Sequence, residues 1–542
     1  MSVHDSARPG TGDTPSTNDQ ILFWASFLTL IAAGIGFSVR GAILGDWGRE
    51  FGFTQGELGT ITGGGLIGFG FSIIFFSFFA DRIGYGWLML IAFLLHVTSA
   101  VVTLGAGWVY GAYGKEATFW CLNIGMWLFS LGNGTCEAVI NPLTASLYPR
   151  QKTHWLNILH AGWPAGLVIG ALLGLIFNQF AGIPWQVKLG TFLIPTVMYG
   201  ALMFGRTFPR SEASKAGVSV GTMALEFLSP ILITLVVLHA MVGYVELGTD
   251  SWIINITETI LNNKDLALIA FIWTNILMTA LRFFAGPIVH KVSPLGLLFI
   301  SAVLGTLGLL WLGQATSAWM WLLAATVYGV GKTFFWPTML GVVSERFPKG
   351  GALTLGVVGG VGMLSAGFLG GPGIGFKQDI AAVAYLTDNK ETDTYNRYKS
   401  GDEKGFLFLP KVDALDNSKV GTLLGKPGED NGMGKLLQLD IANVERSGRK
   451  LSDVKSLADL SAWWDKAKVD ADKDRKPIAE ATLYAKQKSL TWTAAVPAMM
   501  AIGYLILILY FRAIGGYKAE QLVGHAAEDE KYTGGTQGPG EG

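Results

Sequence analysis

Six ionisable residues stand inside otherwise apolar stretches: Arg40, Glu137, Glu246, Asp250, Arg282 and Lys332. An ionisable group in hydrocarbon is costly and is usually kept for function. Asn133, Glu137 and Asn141 recur every four residues, which lines them along one face of a helix. Gly243, Glu246 and Asp250 repeat that arrangement at i, i+3 and i+7, Asn157, His160 and Pro164 share a third face, and Lys332 and Trp336 a fourth. A carboxyl group between two amides, as Glu137 is, can take a proton on one side of a membrane and release it on the other. Glu137, Glu246 and Asp250 are therefore the expected proton-coupling residues, and Arg40, Asn133, Asn141, Asn157, His160, Lys332 and Trp336 the expected solute ligands. Plainer roles stand beside these. Arg282, placed before a polar turn, could snorkel to an interface. Asp250 and Lys332 could form a gating ion pair, and Arg40 could be the counter-ion of Glu137 or Glu246.

The elements that must position these groups are apolar runs, each long enough to cross a bilayer at about 20 residues. They lie near 22–44, 57–80, 87–108, 117–146, 155–179 and 185–205, then near 227–257, 265–289, 295–314, 317–345, 351–376 and 489–513. The spacing predicts an all-α membrane protein with twelve transmembrane helices in two six-helix bundles (22–205 and 227–513), joined by a linker at 206–226. Short loops on one side carry Arg82, Arg150, Lys152, Arg206, Arg210, Lys215, Lys291, Arg346 and Lys349, against Arg49, Lys115 and Lys264 opposite. The positive-inside rule then puts both termini in the cytoplasm. Residues 1–21 and 514–542 read as disordered cytoplasmic ends. The start is polar, without a cleavable signal pattern, so the first span is the expected targeting signal.

A polar stretch at 377–488 interrupts the second bundle between helices 11 and 12, on the extracytoplasmic side by span count. Leu451, Val454, Leu457, Leu460 and Trp464 recur at helical spacing, and Pro477 is expected to end or kink that helix. Asp470, Asp472 and Asp474 open like a calcium loop, but Arg475 and Ala481 stand where glycine and glutamate are required. The stretch reads as a cap over the outer mouth, a tolerated insertion or a partner-binding segment.

Composition narrows the class. Half the residues are hydrophobic, 15% are charged and mean hydropathy is +0.41, too apolar for a soluble chain of this length. A net charge of +0 gives no electrostatic case for nucleic acid. Cys121 and Cys136 both fall in expected spans, so neither a disulfide framework nor a metal cluster is expected, and no cofactor. Gly331-Lys332-Thr333 is no phosphate loop, because Thr326 stands where the first glycine belongs. An enzyme is not expected.

Two hinge segments fix the duplication. Asp81-Arg82-Ile83-Gly84 follows the second run, and His290-Lys291-Val292-Ser293 follows the eighth. The first resembles the small-x-x-x-Asp-Arg-x-Gly signature of the major facilitator superfamily, with Asp81, Arg82 and Gly84 as its gating residues; His290 and Lys291 are a degraded second copy. Glu137-x-x-x-Asn141-Pro142, the later Leu156-Asn157, Gly243-Tyr244-Val245-Glu246 with Ser251-Trp252, and Trp336-Pro337-Thr338 are similar to the fucose/glucose/galactose:proton symporter family. That likeness implies helices 1, 4, 7 and 10 around a central cavity, proton movement at Glu137 and a substrate role for Tyr244. It departs at the first helix, where the family's aspartate is replaced by Arg40.

The expected function is proton-coupled uptake of a sugar or polyol by alternating access, in a bacterial inner membrane and as a monomer. A buried guanidinium suits a carboxylate, so a sugar-acid or organic-anion transporter is the alternative, and a non-transporting membrane sensor a third.

Overall fold

The structure, a computed structural model, describes residues 15–53, 55–179, 183–425, 433–446, 448–520 and 522. The first half runs through α1 (Thr17–Ala42), α2 (Leu44–Phe51), α3 (Gln55–Gly63), α4 (Gly65–Ile83), α5 (Tyr85–Leu104), α6 (Ala106–Leu147), α7 (Lys152–His160), α8 (Gly162–Gln179), α9 (Trp185–Gly190) and α10 (Leu193–Met203). Short helices α11 (Glu212–Lys215) and α12 (Val220–Leu225) lie in the joint. The second half has α13 (Pro230–Gly243), α14 (Thr249–Leu261), α15 (Lys264–Arg282), α16 (Ala285–Val292), α17 (Pro294–Leu312), α18 (Ala318–Lys332), α19 (Phe335–Arg346), α20 (Gly351–Ser365) and α21 (Gly371–Asp388). Then come α22 (Thr392–Tyr398), strands β1 (Lys399–Lys404) and β2 (Val412–Leu415), α23 (Asn417–Leu424), α24 (Lys435–Arg446), α25 (Lys455–Ala467), α26 (Ala471–Thr493) and α27 (Ala495–Ala513). Among the described residues, nine helical stretches are long and apolar enough to cross a membrane.

Packing follows the duplication. Within the first half α1 lies on α8 and α6 on α4 and α5; within the second, α17 lies on α18 and α27, and α13 on α20. The halves meet where α4 packs on α20 and α8 on α15, with α7 against α19 at the hinge end. Gly84 (φ 88, ψ 145) and Ser293 (φ 63, ψ 161) hold the same backbone turn at the starts of α5 and α17. A serine is strained there by order 1–3 kcal/mol, and its hydroxyl is used to cap the Gly296 amide at 3.2 Å. Asp81 faces Gly351, the first residue of α20, with its buried Oδ2 without a hydrogen-bond partner among the described residues.

Two helices of the second half carry one-turn π segments, Tyr244–Gly248 after α13 and Ala366–Gly370 after α20. They are packed together: a methyl group on Gly248 would lie 2.6 Å from the Gly370 Cα, and one on Gly243 would lie 1.8 Å from the Gly362 carbonyl. With no side chain between them, the two backbones approach as close as lipid-embedded helices allow. The extra residue in each π turn re-aims the helix beyond it, as such turns often do at functional sites.

Four expectations change. The chain is not wholly helical, because Lys399–Lys404 and Val412–Leu415 pair as an antiparallel ribbon in the insertion. The amphipathic helix stops at Ala467, and Pro477 sits inside the next helix, which continues through Thr493 into α27. So α21 and α26 extend their spans as a packed pair that carries the insertion, whose core gathers Leu386, Tyr398, Leu423 and Ile478. The buried Asp474 accepts from Thr394 and from both Nε and Nη2 of Arg397; that bond raises the Arg397 pKa. At the far edge α24 reaches α2, and Lys115 there bonds Glu57 at 2.8 Å within electrostatic reach of Asp440 and Arg449. Finally, residues 514–520 are folded back on α19, not disordered; residues 1–14, 521 and 523–542 lie outside the described residues.

Replacing Gly243 by Ala should lower folded yield and the melting temperature of the purified protein, in the range of about 1–3 kcal/mol for overpacking. Gly359, with nothing within 4 Å of an added methyl, should accept Ala without loss. Equal behaviour of the two variants would contradict the crossing described here.

Candidate functional site

A small cavity lies between the halves, lined by Phe69, Glu137, His160 and Trp163 from the first and by Glu246, Leu247, Arg282, Trp336 and Met363 from the second. Helix α6 runs unbroken through Pro142, and Asn141 one residue earlier turns its amide back. Asn141 Nδ2 donates to Glu137 Oε2 at 2.6 Å and to the Glu137 carbonyl at 3.1 Å. Asn141 Oδ1 stands 2.8 Å from His160 Nε2, and His160 Nδ1 lies 4.0 Å from Glu137 Oε1. The three side chains form one closed group.

Arg282 joins that group to the other half. Its Nη2 donates to Glu246 Oε1 at 3.0 Å, its Nε to the Thr333 carbonyl at 2.7 Å, and its Nη1 to the His160 carbonyl at 2.6 Å. The guanidinium is 1% exposed, so these three acceptors replace its water shell. Glu246 keeps one oxygen, Oε2, without a protein partner. Beyond it, Lys332 Nζ bonds Asp250 Oδ1 at 2.5 Å, facing a separate apolar pocket within the second half.

The expected residues divide accordingly. Glu137, Asn141, His160, Glu246 and Trp336 come together, with Lys332 and Asp250 as an ion pair next door. Arg40 does not reach the cavity. It lies inside the first half between the rings of Phe129 and Phe192, bonded to Ser99 Oγ at 2.8 Å, and pairs with neither Glu137 nor Glu246. Asn133 turns the same way, to His96 Nε2 at 2.9 Å. Asn157 is in the seam at the hinge end, 3.1 Å from Thr338 Oγ1. Tyr244 sits toward the insertion, with Lys377 over its ring. Of the hinge residues, Arg82, His290 and Lys291 are exposed.

Two site residues escape a reading of the sequence. Snorkelling is the plain expectation for Arg282, yet it ends α15 fully buried, with its guanidinium bonded to Glu246 and to the Thr333 and His160 carbonyls. His239, seven residues before Glu246 and so on the same face, is fully buried with its ring centroid 4.5 Å from that of Trp336. Neither of its ring nitrogens has a protein partner.

Residues 25–371 match the description of the Major Facilitator Superfamily. The chain belongs to that superfamily. Among curated proteins it is similar to the cis,cis-muconate transport protein of Acinetobacter baylyi, 27% identical over 180 residues, which is 33% of this chain and 41% of that one. The chain thus spans about two fifths of that relative's length. Among solved structures, the proton:xylose symporter XylE bound to 6-bromo-6-deoxy-D-glucose aligns at TM-score 0.58 and 14% identity, covering 69% of this chain and 91% of that one. The transporter FucP in its outward conformation aligns at 0.54 and 15%, covering 67% and 93%. A bacterial homolog of the human lysosomal transporter Spinster aligns at 0.54 and 15%, covering 91% and 99%. The solved structures show the major facilitator fold, and the family match places the chain among that superfamily's transporters.

Replacing Arg282 by Met should cost about 3–5 kcal/mol, because it strands the Glu246 charge in an apolar setting. Adding Glu246→Gln should recover much of that loss in thermal unfolding. Simple addition of the two single losses would show that the pair is not coupled.

Proposed function

We propose that this transporter takes up a neutral polyhydroxyl solute, a sugar or polyol, together with a proton. The observation that carries this reading is the charge balance of the cavity: two carboxylates, Glu137 and Glu246, face one guanidinium, Arg282. Lys332 is neutralised by Asp250, and Arg40 is remote. A site so composed has no spare cation for an anionic solute, whereas a hydroxyl can donate to the free Glu246 oxygen and exchange hydrogen bonds with His239. The flat face of Trp336 suits the C–H face of a sugar ring.

Glu137 is the coupling residue in this proposal. It stands in hydrogen-bond contact with Asn141 and 4.0 Å from His160, so a proton arriving there alters the group that faces the solute. Alternating access would swing two six-helix bundles about this point. The reading keeps twelve spans, both termini and the hinge segments cytoplasmic, the insertion outside, and a monomer in a bacterial inner membrane. The α7–α19 seam then closes the cytoplasmic side.

A second reading, transport of an organic anion, draws support from the muconate transport relative. Purified protein in proteoliposomes with an inward proton gradient should accumulate one or more of D-xylose, L-fucose, D-galactose and mannitol, and not D-glucuronate or cis,cis-muconate. Gradient-driven accumulation of the carboxylates alone would overturn the neutral-solute proposal in favour of the second.

A further inference from the structure

We infer that the segment after the last helix is a latch on the cytoplasmic gate, and that Glu345 is the residue through which it acts. This rests on the alternating-access reading, in which the seam between α7 and α19 must open toward the cytoplasm.

Glu345, next to last in α19, is fully buried within electrostatic reach of Lys152. Its two oxygens are shared between two parts of the chain, the first half and the tail. Thr153 Oγ1, from the first half, donates to Oε1 at 2.6 Å. Tyr517 Oη, from the tail, donates to Oε2 at 2.8 Å, and the Glu520 amide donates to the Glu345 backbone carbonyl at 2.8 Å. The chain returns to this point because Gly515 and Gly516 both take positive φ, 100° and 99°, reversing direction directly after α27.

The next residue fastens the turn. Arg346 donates Nη1 to the Lys518 carbonyl at 2.5 Å, pairs with Glu520 at 2.9 Å and lies over the ring of Phe511 at 4.9 Å. Phe511 in turn meets the Tyr517 ring edge-on. The tail therefore does not merely trail beside the helix end. It supplies one of the two hydroxyls that keep a buried carboxylate in place for Thr153. With Tyr517 gone, the Glu345 oxygen that it served turns to water, and the bond across the seam weakens with it. A segment outside both bundles thereby sets how readily the cytoplasmic side opens.

The test reads access to the seam and needs no substrate. A reporter cysteine is placed by Ala145→Cys, a seam position 7% exposed, in a chain carrying Cys121→Ser and Cys136→Ala. Its reaction with a bulky water-soluble maleimide is timed in nanodiscs. Truncation after Ala513 should speed labelling about tenfold, and Tyr517→Phe, which removes one hydroxyl and little bulk, by a smaller factor. Truncation after Leu522 should label like the full chain. Thr153→Val breaks the same carboxylate's bond from the other half and should also speed labelling. If Thr153→Val speeds it while truncation after Ala513 and Tyr517→Phe both leave it unchanged, the latch is overturned and the gate stands. If none of the three changes it, the gate reading falls as well. Because no solute is involved, a failed uptake panel leaves these outcomes readable.

Discussion

A guanidinium buried in an apolar bundle must find acceptors for its donors, and the centre of this protein is arranged around that demand. Arg282 takes one acceptor from its own half's helix pair, Glu246, one from the carbonyl of Thr333 where α18 breaks from α19, and one from the carbonyl of His160 where α7 breaks from α8. Breaks in helices leave carbonyls free, so these interruptions are where a buried cation can be held. The last of these bonds, to His160, ties the two halves at one point. Glu137, Asn141 and His160 stand on one side of it and Glu246, His239 and Trp336 on the other.

The rest of the fold serves that meeting point. Small residues let helices cross closely, within the second half as at Gly243 against Gly362, and on the seam as at Gly70 against Gly360 and Ser77 against Gly356. Close, side-chain-free crossings give the halves surfaces that can rock on one another without repacking bulky groups. At the hinge end the contact is polar instead: Thr153 with Glu345, Asn157 with Thr338, and Lys152 with Glu212 and the Ser344 carbonyl. Polar seams are the ones that can separate into water at modest cost, since each lost bond is replaced by one to solvent. That contrast fits a gate at this end.

Much of this is legible in the sequence because lipid enforces simple patterns. Apolar runs, hinge motifs and charges in the wrong solvent mark the helices, the duplication and the residues Glu137, His160, Glu246 and Trp336. The hinge copy even keeps register, with Ser293 in the turn that Gly84 makes. What escapes is rotation and depth. Helical spacing puts Asn133, Glu137 and Asn141 on one face, yet that face spans two environments: Asn133 turns to His96, while Glu137 lines the cavity and Asn141 bonds Glu137 from behind. Charge alone points Arg40 toward the cavity; the aromatic rings that enclose it, Phe129 and Phe192, come from distant helices that no local pattern connects. The π turn at Tyr244–Gly248 likewise shifts faces in a way that a fixed period of 3.6 misses.

The central claim is that Glu137 carries the coupled proton while the remaining cavity binds the solute. The direct test is Glu137→Gln in proteoliposomes, comparing solute counterflow with accumulation driven by a proton gradient. A glutamine keeps most of the shape that Asn141 and His160 contact but cannot exchange a proton. The account predicts that counterflow persists within about a factor of three, taking ~1 kcal/mol at most for one altered hydrogen bond, while gradient-driven accumulation disappears. Accumulation that survives with its ordinary dependence on the proton gradient would contradict it.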